Sequence, residues 1–359
     1  MRIASVVLFC ILVAAAPTRA DEAPRWMMEL VLRGKQVEGT PLSWSDSRVQ
    51  MLARDGRLWE FAPHEASRFR RTAPEFASYK AGEMRSALSR EFGSRFEVTG
   101  TGHYLVVHPR GERDFWGHRF EELYRSFVHY FGVRGFQLDA PRFPLVAVVL
   151  KNQAEFLRYA ASEGSPPQSG VLGYYWPSSN RLALYDTTEG SKSTGPWQLN
   201  AETIVHEATH QTAFNTGIHS RFAMPPRWVA EGLAMMFEAK GVWDPQAYTR
   251  SNDRINFDRL KNFRHFETSR PKGLLATFVQ SDHLFGSHPS AAYAEAWALT
   301  YFLVETEPHK YSAYLRRTAS RPPFEEYPTA ERLADFTSVF GEDLHMLEAR
   351  YLRFIAALD

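Results

Sequence analysis

Two short stretches constrain the fold of this chain most strongly, namely HEATH at residues 206–210 and WVAEG at residues 228–232. On an α-helix, residues four apart project from the same face, so His206 and His210 can present two imidazole nitrogens to one metal ion. A carboxylate that completes the site has to come from elsewhere, and Glu231 can face the histidines from a second, antiparallel helix. The spacing therefore predicts two helices packed around one cation.

The residue types in this pattern predict a hydrolytic zinc site. Catalytic zinc typically takes three protein ligands and keeps a position for water, whose pKa it lowers towards neutrality. We expect Zn²⁺ to be bound by His206, His210 and Glu231. Glu207 then lies beside the ion, where its carboxylate can accept the proton of that water. The alternative is that these are ordinary polar residues on partly exposed helices.

The flanking residues support a helix around each motif. Asn200 is a suitable N-cap for the first helix, and the NTG at 215–217 is typical of a helix C-terminus. The proline pair at 225–226 opens the second helix, and Gly241 closes it. We therefore predict that both motifs are helical.

The stretches TIVHEATHQTAF at 203–214 and PPRWVAEGLAMMFE at 225–238 resemble the gluzincin branch of the zincin metallopeptidases. The resemblance is strongest to a bacterial family of unknown function within that branch, and it extends roughly over residues 143 to 306. It implies the same three zinc ligands, the same general base, and a zincin-like α+β catalytic domain.

The chain departs from neighbouring families at specific positions. A metzincin carries glycine three residues and histidine six residues after its second histidine, where this chain has Ala213 and Thr216, so that branch is excluded. A thermolysin-like ligand helix has an aspartate four residues after its glutamate, where this chain has Met235, so the partner of the ligand histidines is not identified. The M1 aminopeptidases share WxxEG, but residues 170–186 lack the glutamate that binds a free amine. This departure argues against aminopeptidase specificity.

Hydrolysis through a tetrahedral oxyanion also needs an electrophile besides the metal, and gluzincin-type enzymes often use a tyrosine or a histidine. Tyr293, in the motif YAEAW, is the predicted donor because related enzymes have a tyrosine at a comparable distance beyond the glutamate ligand. Tyr301 on the same helical segment is the alternative. Either tyrosine can instead be a packing residue, as is common on apolar helices.

Residues 170–176 and 181–185 predict a β-hairpin around a loop-forming PSSN sequence. In zincins, an edge strand above the metal helix binds extended substrate through backbone hydrogen bonds. The hairpin either supplies that edge or only completes the sheet.

The first 20 residues predict a secretory signal peptide, with an apolar run at 3–16 and cleavage after Ala20. This run is too short for a membrane span. Cys10, the only cysteine, lies within it, and Phe9 does not fit a lipobox, so neither a lipid anchor nor a disulfide is expected. The predicted location is the bacterial periplasm or the medium.

The remaining chain is divided into a small β module with a linker at 21–74 and a zincin-like metallohydrolase domain at 75–359 whose C-terminal portion is helical. Within the module, the Asp-Gly pair at 55–56 is the strongest hairpin signal, and the Pro- and Arg-containing stretch 63–74 is interpreted as the linker. The overall prediction is an α+β fold with a mixed sheet and active-site helices.

A formal net charge of +1 gives no electrostatic basis for nucleic-acid binding, and the basic cluster at 68–71 is interpreted as a solvated face. We predict an exported zinc-dependent hydrolase that cleaves peptide or protein substrates and has no stable membrane anchor. The alternatives are a non-enzymatic zincin-fold scaffold of the cell envelope and an amidase acting on cell-wall peptides. The sequence determines neither the side-chain preference nor the oligomeric state.

Overall fold

The computed structural model describes residues 26–111, 115–164, 170–187 and 195–358. The predicted signal peptide at 1–20 lies outside them. Within the described residues, two five-stranded β-sheets and thirteen α-helices form a mixed α+β architecture, with a β-rich N-terminal region and a helical C-terminal part. The predicted fold class is confirmed, whereas the domain boundaries stay a prediction.

The N-terminal sheet is antiparallel throughout and has its own apolar core. Its strands are β1 Met27–Leu32, β2 Lys35–Trp44, β3 Val49–Ala53, β4 Leu58–Phe61 and β5 Ala66–Ala73. They lie in the order β4-β3-β2-β1-β5, and the side chains of Leu30, Val49 and Met51 are buried between them. The hairpin predicted at Asp55-Gly56 is present, since β3 and β4 pair on either side of the turn and Gly56 has a φ of +88°.

The predicted linker at 63–74 is wrong. After a 3-10 turn at Pro63–Glu65, most of this stretch forms β5, which pairs with β1 and makes one edge of the sheet. Its proline and arginine content suggested a loop. The segment is nevertheless a strand, because its backbone pairs with β1 and this pairing does not depend on which side chains face the solvent. The side chains at 68–71 are exposed on this edge.

The second sheet carries the elements around the metal motif. Its strands are β6 Phe96–Gly100, β7 Tyr104–Pro109, β8 Leu145–Leu150, β9 Gly173–Trp176 and β10 Arg181–Tyr185. The order is β6-β7-β8-β10-β9, in which β8 is parallel to both of its neighbours and β9 is an antiparallel edge strand. Every residue of β8 is apolar and buried, as expected for a strand covered on both faces.

Helices cover both faces of this sheet, because successive side chains of a strand point to opposite sides. On one face, Val146 and Val148 pack with α1 Ala81–Phe92 and α3 Gln153–Ser162. On the other face, Ala147 packs with α2 Phe115–Gly132 and α4 Gly195–Asn215. Helix α4 begins before Asn200, so the cap predicted there is wrong, and the metal motif lies in the second half of a longer helix.

The C-terminal part is helical. Its helices are α5 Arg227–Phe237, α6 Lys240–Trp243, α7 Phe257–Glu267, α8 Leu274–Gln280, α9 His283–Ser287, α10 Pro289–Thr306, α11 Pro308–Ala319, α12 Thr329–Phe340 and α13 Leu344–Ala356, with a 3-10 turn at Ser251–Arg254. Helices α5 and α10 pack so closely that a Cβ on Gly232 would lie 2.2 Å from Thr300 Oγ1 and 2.4 Å from the Ala296 carbonyl oxygen. Among the described helices, none has the length and apolarity needed to cross a membrane.

Candidate metal centre

Helices α4 and α5 bring the three predicted ligands together. The Nε2 atoms of His206 and His210 lie 3.1 Å apart. Glu231 Oε2 lies 3.4 Å from the first nitrogen and 3.7 Å from the second. Within the described part of the chain, these three residues form a group that could hold a metal ion.

The chemistry and spacing of these donors fit a zinc ion. Tetrahedral zinc with ligand bonds of about 2.0–2.1 Å holds its donor atoms about 3.3 Å from one another. The three observed separations lie between 3.1 and 3.7 Å. Two imidazole nitrogens with one carboxylate oxygen also match the ligand types of catalytic zinc sites, which leave a further position open.

His206 is oriented from behind by Glu238, a residue that the sequence analysis missed. Its Nδ1–H donates to Glu238 Oε1 at 2.8 Å, which leaves Nε2 directed at the other ligands. Glu238 is itself fixed by Asn256, whose Nδ2 donates to its other oxygen at 2.7 Å. The signal was present in the sequence, because Glu238 follows Glu231 by two helical turns and so lies on the same side of α5.

The charges around the site favour a cation. Burial disfavours the imidazolium form of His206, but the adjacent carboxylates of Glu231 and Glu238 outweigh burial and raise its pKa well above the ordinary value. Burial also opposes ionisation of Glu231, yet the adjacent imidazoles of His206 and His210 hold the pKa of this carboxyl far below its usual range. The ligand carboxylate is therefore ionised at neutral pH.

Glu207 lies between the metal ligands and the edge of the sheet. Its Oε2 accepts a hydrogen bond of 2.6 Å from the backbone N–H of Tyr175 in β9. Burial raises the pKa of Glu207, although the neighbouring histidines oppose that shift. A raised pKa makes this carboxylate a stronger base than an exposed glutamate.

The predicted hairpin is formed by β9 and β10, and a buried polar network holds its turn against α4. Tyr175 Oη donates to Asn180 Oδ1 at 2.8 Å, and Asn180 exchanges side-chain hydrogen bonds with Asn215. Gln211 Nε2 donates to the backbone carbonyl of Asn180 at 3.0 Å. Asn180 has a φ of +58°, which asparagine tolerates better than most residues. The network fixes β9 relative to the helix that carries Glu207.

Arg221 ties the same turn to the N-terminal sheet. This buried guanidinium donates to the carbonyl oxygens of Pro177 and Gly56, each at 2.6 Å. The N–H of Leu58 in β4 donates to the Ser178 carbonyl oxygen at 2.6 Å. The N-terminal sheet therefore contacts the hairpin directly.

The two candidate tyrosines are in different environments. Tyr293 is half-buried near the ligand helix, and its hydroxyl accepts a hydrogen bond of 2.9 Å from Arg227 Nη2. Arg227 Nε in turn lies 3.7 Å from Glu231 Oε1. Tyr301 is buried against Trp297 and stacks on its ring. Of the two, Tyr293 is the one connected to the ligands.

Part of the chain matches the model of a family of unknown function. Residues 200–325 match the model of the family described as "Protein of unknown function (DUF1570)", and this stretch contains both metal motifs. No curated protein matches the chain. A solved structure of a mutant M1 zinc metallopeptidase from Deinococcus radiodurans is similar at 11% identity and a TM-score of 0.37, over 74% of this chain. The match covers 52% of that protein, so the chain spans about half of its length.

Proposed function

We propose that this protein is a zinc-dependent hydrolase of the gluzincin type that cleaves peptide bonds. The observation that supports this proposal is the convergence of two imidazole nitrogens and one carboxylate oxygen within 3.7 Å of one another, beside the partly buried carboxylate of Glu207. A purely structural role accounts poorly for Glu207, because burial raises its pKa and, among the described residues, its side chain accepts one hydrogen bond, from a backbone N–H.

Each residue near the ligands has a chemical role in this proposal. Zinc in such a site polarises a carbonyl group and lowers the pKa of water. Glu207 accepts a proton from the attacking water and returns it to the leaving amine. The Tyr175 N–H keeps the Glu207 carboxylate in place between these transfers. Tyr293 donates its hydroxyl hydrogen to the developing oxyanion, while its oxygen accepts from Arg227.

The metal site is tested by metal content. Purified full-length protein should contain close to stoichiometric zinc by mass spectrometry, and His210→Ala should lose it because two donors bind zinc far more weakly than three. His345→Ala, which changes an exposed histidine, is the matched control. Equal zinc in His210→Ala and wild type would contradict the assignment of the ligands.

Catalysis is tested separately with Glu207→Gln, which keeps the size of the side chain and removes its basicity. We expect this variant to retain zinc and to lose at least about a hundredfold in cleavage of an unbiased peptide library, a typical contribution of a general base. Glu342→Gln, on the surface, is the control. Stoichiometric zinc without cleavage of proteins, peptides or cell-wall peptides by the wild type would favour the scaffold alternative. Cleavage of cell-wall peptides alone would favour the amidase.

We also propose that the protein is exported after cleavage following Ala20. The support is the sequence pattern of the first 20 residues. A fusion of this segment to a reporter that is active only outside the cytoplasm should be active, and a fusion in which the apolar run at 3–16 is interrupted by two arginines should not. Equal activity of both fusions would contradict export by this segment.

A further inference from the structure

Arg227 places a positive charge at the rim of the candidate metal centre. It is the first residue of α5, one helical turn before Glu231, and 46% of its side chain is exposed. Its Nε lies 3.7 Å from Glu231 Oε1, the oxygen that does not face the histidines. The guanidinium therefore lies next to the ligands and is accessible to solvent.

Aromatic rings hold this guanidinium in place. Its central carbon lies 4.6 Å from the ring centroid of Phe285 and 5.7 Å from that of Tyr293. These two rings pack edge to face, and the Tyr293 hydroxyl accepts from Nη2 at 2.9 Å. Among the residues that the structure describes, Nη1 has no hydrogen-bond partner. Arg227 is thus fixed in one orientation with donors left to bind a ligand.

Glu231 lies within ion-pair distance of Arg227, but its other oxygen faces the two histidines, so its negative charge is shared between them. Asp282 accepts from the backbone N–H of Arg227 at 3.0 Å, but its other oxygen pairs with Arg332 at 2.8 Å. Arg259 adds a second guanidinium, 5.7 Å from the centroid of the Tyr293 ring, and its Nε lies 3.7 Å from Glu238 Oε2. Two cationic groups therefore flank the tyrosine that we place beside the reacting carbonyl.

We propose that Arg227 binds a carboxylate group of the substrate, and that the protein consequently prefers peptides with a carboxylate close to the scissile bond. This inference rests on the proposed function and names its substrate class. A planar guanidinium with free donors binds carboxylate through paired N–H groups more specifically than lysine does. The carboxylate is either the C-terminus of a peptide or the side chain of an aspartate or glutamate.

The competing explanation is that Arg227 only supports Glu231. At 3.7 Å the contact between them is longer than a hydrogen bond, whereas the Arg227 side chain makes a short hydrogen bond to Tyr293. If Arg227 only held Glu231 in place, it would not make the protein prefer one class of peptide over another. Substrate preference therefore separates the two explanations.

The test measures binding rather than turnover. Immobilised full-length Glu207→Gln protein is incubated with three pools of short, N-acetylated random peptides, and the retained peptides are quantified by mass spectrometry. The first pool has neutral side chains and a free C-terminal carboxylate. The second has neutral side chains and a C-terminal amide, and the third adds one aspartate or glutamate to the amidated peptides. Each measurement is repeated after chelator treatment.

We expect the first or the third pool to be retained about tenfold more than the second, as for a charge-assisted pair. The pool that is retained identifies the source of the carboxylate. Adding Arg227→Gln should reduce this ratio to about one, and Arg227→Lys should preserve part of it. Arg95→Gln, which changes an exposed arginine on another face, should preserve all of it.

Equal retention of the three pools, or a ratio that survives Arg227→Gln, would overturn the proposal. A ratio that disappears after chelation would also overturn it, because the carboxylate would then be bound by the metal. The retention ratio is also compared between the Glu207→Gln protein and its Arg227 variant after chelation. Both proteins then lack zinc, so a difference between them is not caused by loss of the metal. Failure of the proposed function would instead appear in the zinc content and library cleavage of the wild type.

Discussion

At the scale of single residues, the geometry of the candidate centre depends on side chains that hydrogen-bond to the candidate ligands and hold them in place. Glu238 accepts from His206 Nδ1 at 2.8 Å, and Asn256 holds Glu238 at 2.7 Å. A carboxylate partner fixes the tautomer of a ligand histidine and makes its other nitrogen a better donor to metal. We therefore expect the hydrogen bond between His206 and Glu238 to contribute to metal affinity.

Glu238→Gln should weaken zinc binding by about tenfold to a hundredfold, the usual effect of losing such a partner. The glutamine preserves an acceptor for His206 but removes the negative charge. Competition with a chromophoric chelator measures the affinity, and Glu342→Gln controls for loss of a surface charge. Unchanged affinity would show that Glu238 has no influence on the ligand.

His219 makes the stability of the protein dependent on pH. Burial, assisted by the nearby His210, lowers the pKa of His219 from 6.5 to about 3. In the unfolded chain the residue takes up a proton below about pH 6.5, whereas in the folded protein it stays neutral until about pH 3. The unfolded state therefore binds more protons in this window, and stability falls as the pH is lowered through it.

His219→Leu should remove this contribution, which amounts to about 2 kcal/mol between pH 7 and pH 5. Urea denaturation of the variant and the wild type at both pH values gives the difference. His345→Leu, which replaces an exposed histidine, should behave as the wild type does. An identical pH dependence in His219→Leu and the wild type would contradict the assigned pKa shift.

At the scale of helices and strands, the position of Glu231 depends on the close contact between α5 and α10. Gly232 lies at that contact, and a Cβ there would meet both the Thr300 side chain and the Ala296 backbone. Since backbone atoms cannot move aside as the end of a flexible side chain can, α5 would have to shift. The shift would carry Glu231, the neighbouring residue, away from the histidines.

We expect Gly232→Ala to lower the free energy of unfolding by about 1–3 kcal/mol, as overpacking does, and to reduce zinc content. Gly82→Ala is the matched control, because Gly82 lies in α1 and a Cβ there has no neighbour within 4 Å. The control should not be destabilised, because an added methyl group at the second residue of α1 meets no neighbour. Denaturation and metal analysis check both variants, and equal behaviour of the two would argue against the packing constraint.

The elements were predicted with uneven success. Strand β10 has the bounds that the sequence predicts, and the hairpin at Asp55-Gly56 is present, because apolar runs separated by turn residues are local signals. Strand β5 was mistaken for a linker, since its pairing with β1 is a tertiary contact that composition does not encode. The start of α4 was also placed too late, at a polar residue that is typical of caps but lies inside the helix.

At the scale of the whole molecule, the N-terminal sheet supports the hairpin beside the site. Arg221 is buried and donates to the carbonyl oxygens of Gly56, at the tip of one sheet, and Pro177, in the hairpin turn of the other. The hairpin contains β9, which holds Glu207 through the Tyr175 N–H. A connected set of hydrogen bonds thus joins the β-rich N-terminal region to the proposed base.

Arg221→Met should leave these carbonyl groups without donors and lower the free energy of unfolding by about 2–4 kcal/mol. It should also increase amide hydrogen exchange in residues 173–180, measured by mass spectrometry. Arg95→Met, at an exposed position, should change neither quantity. Unaltered exchange in the hairpin would show that the N-terminal sheet does not stabilise it.

The sequence by itself determined the helices that carry the metal motifs, the choice of three candidate donor residues, and the hairpin at the edge of the second sheet. These features follow from periodicities of 3.6 and 2 residues, which are fixed by local backbone geometry. Only the tertiary structure decided that Glu238 orients His206, that Arg227 lies at the rim, and that Arg221 joins the two sheets. Such contacts join residues that are distant along the chain or lie on different elements, so they depend on how helices and strands pack rather than on how each one forms.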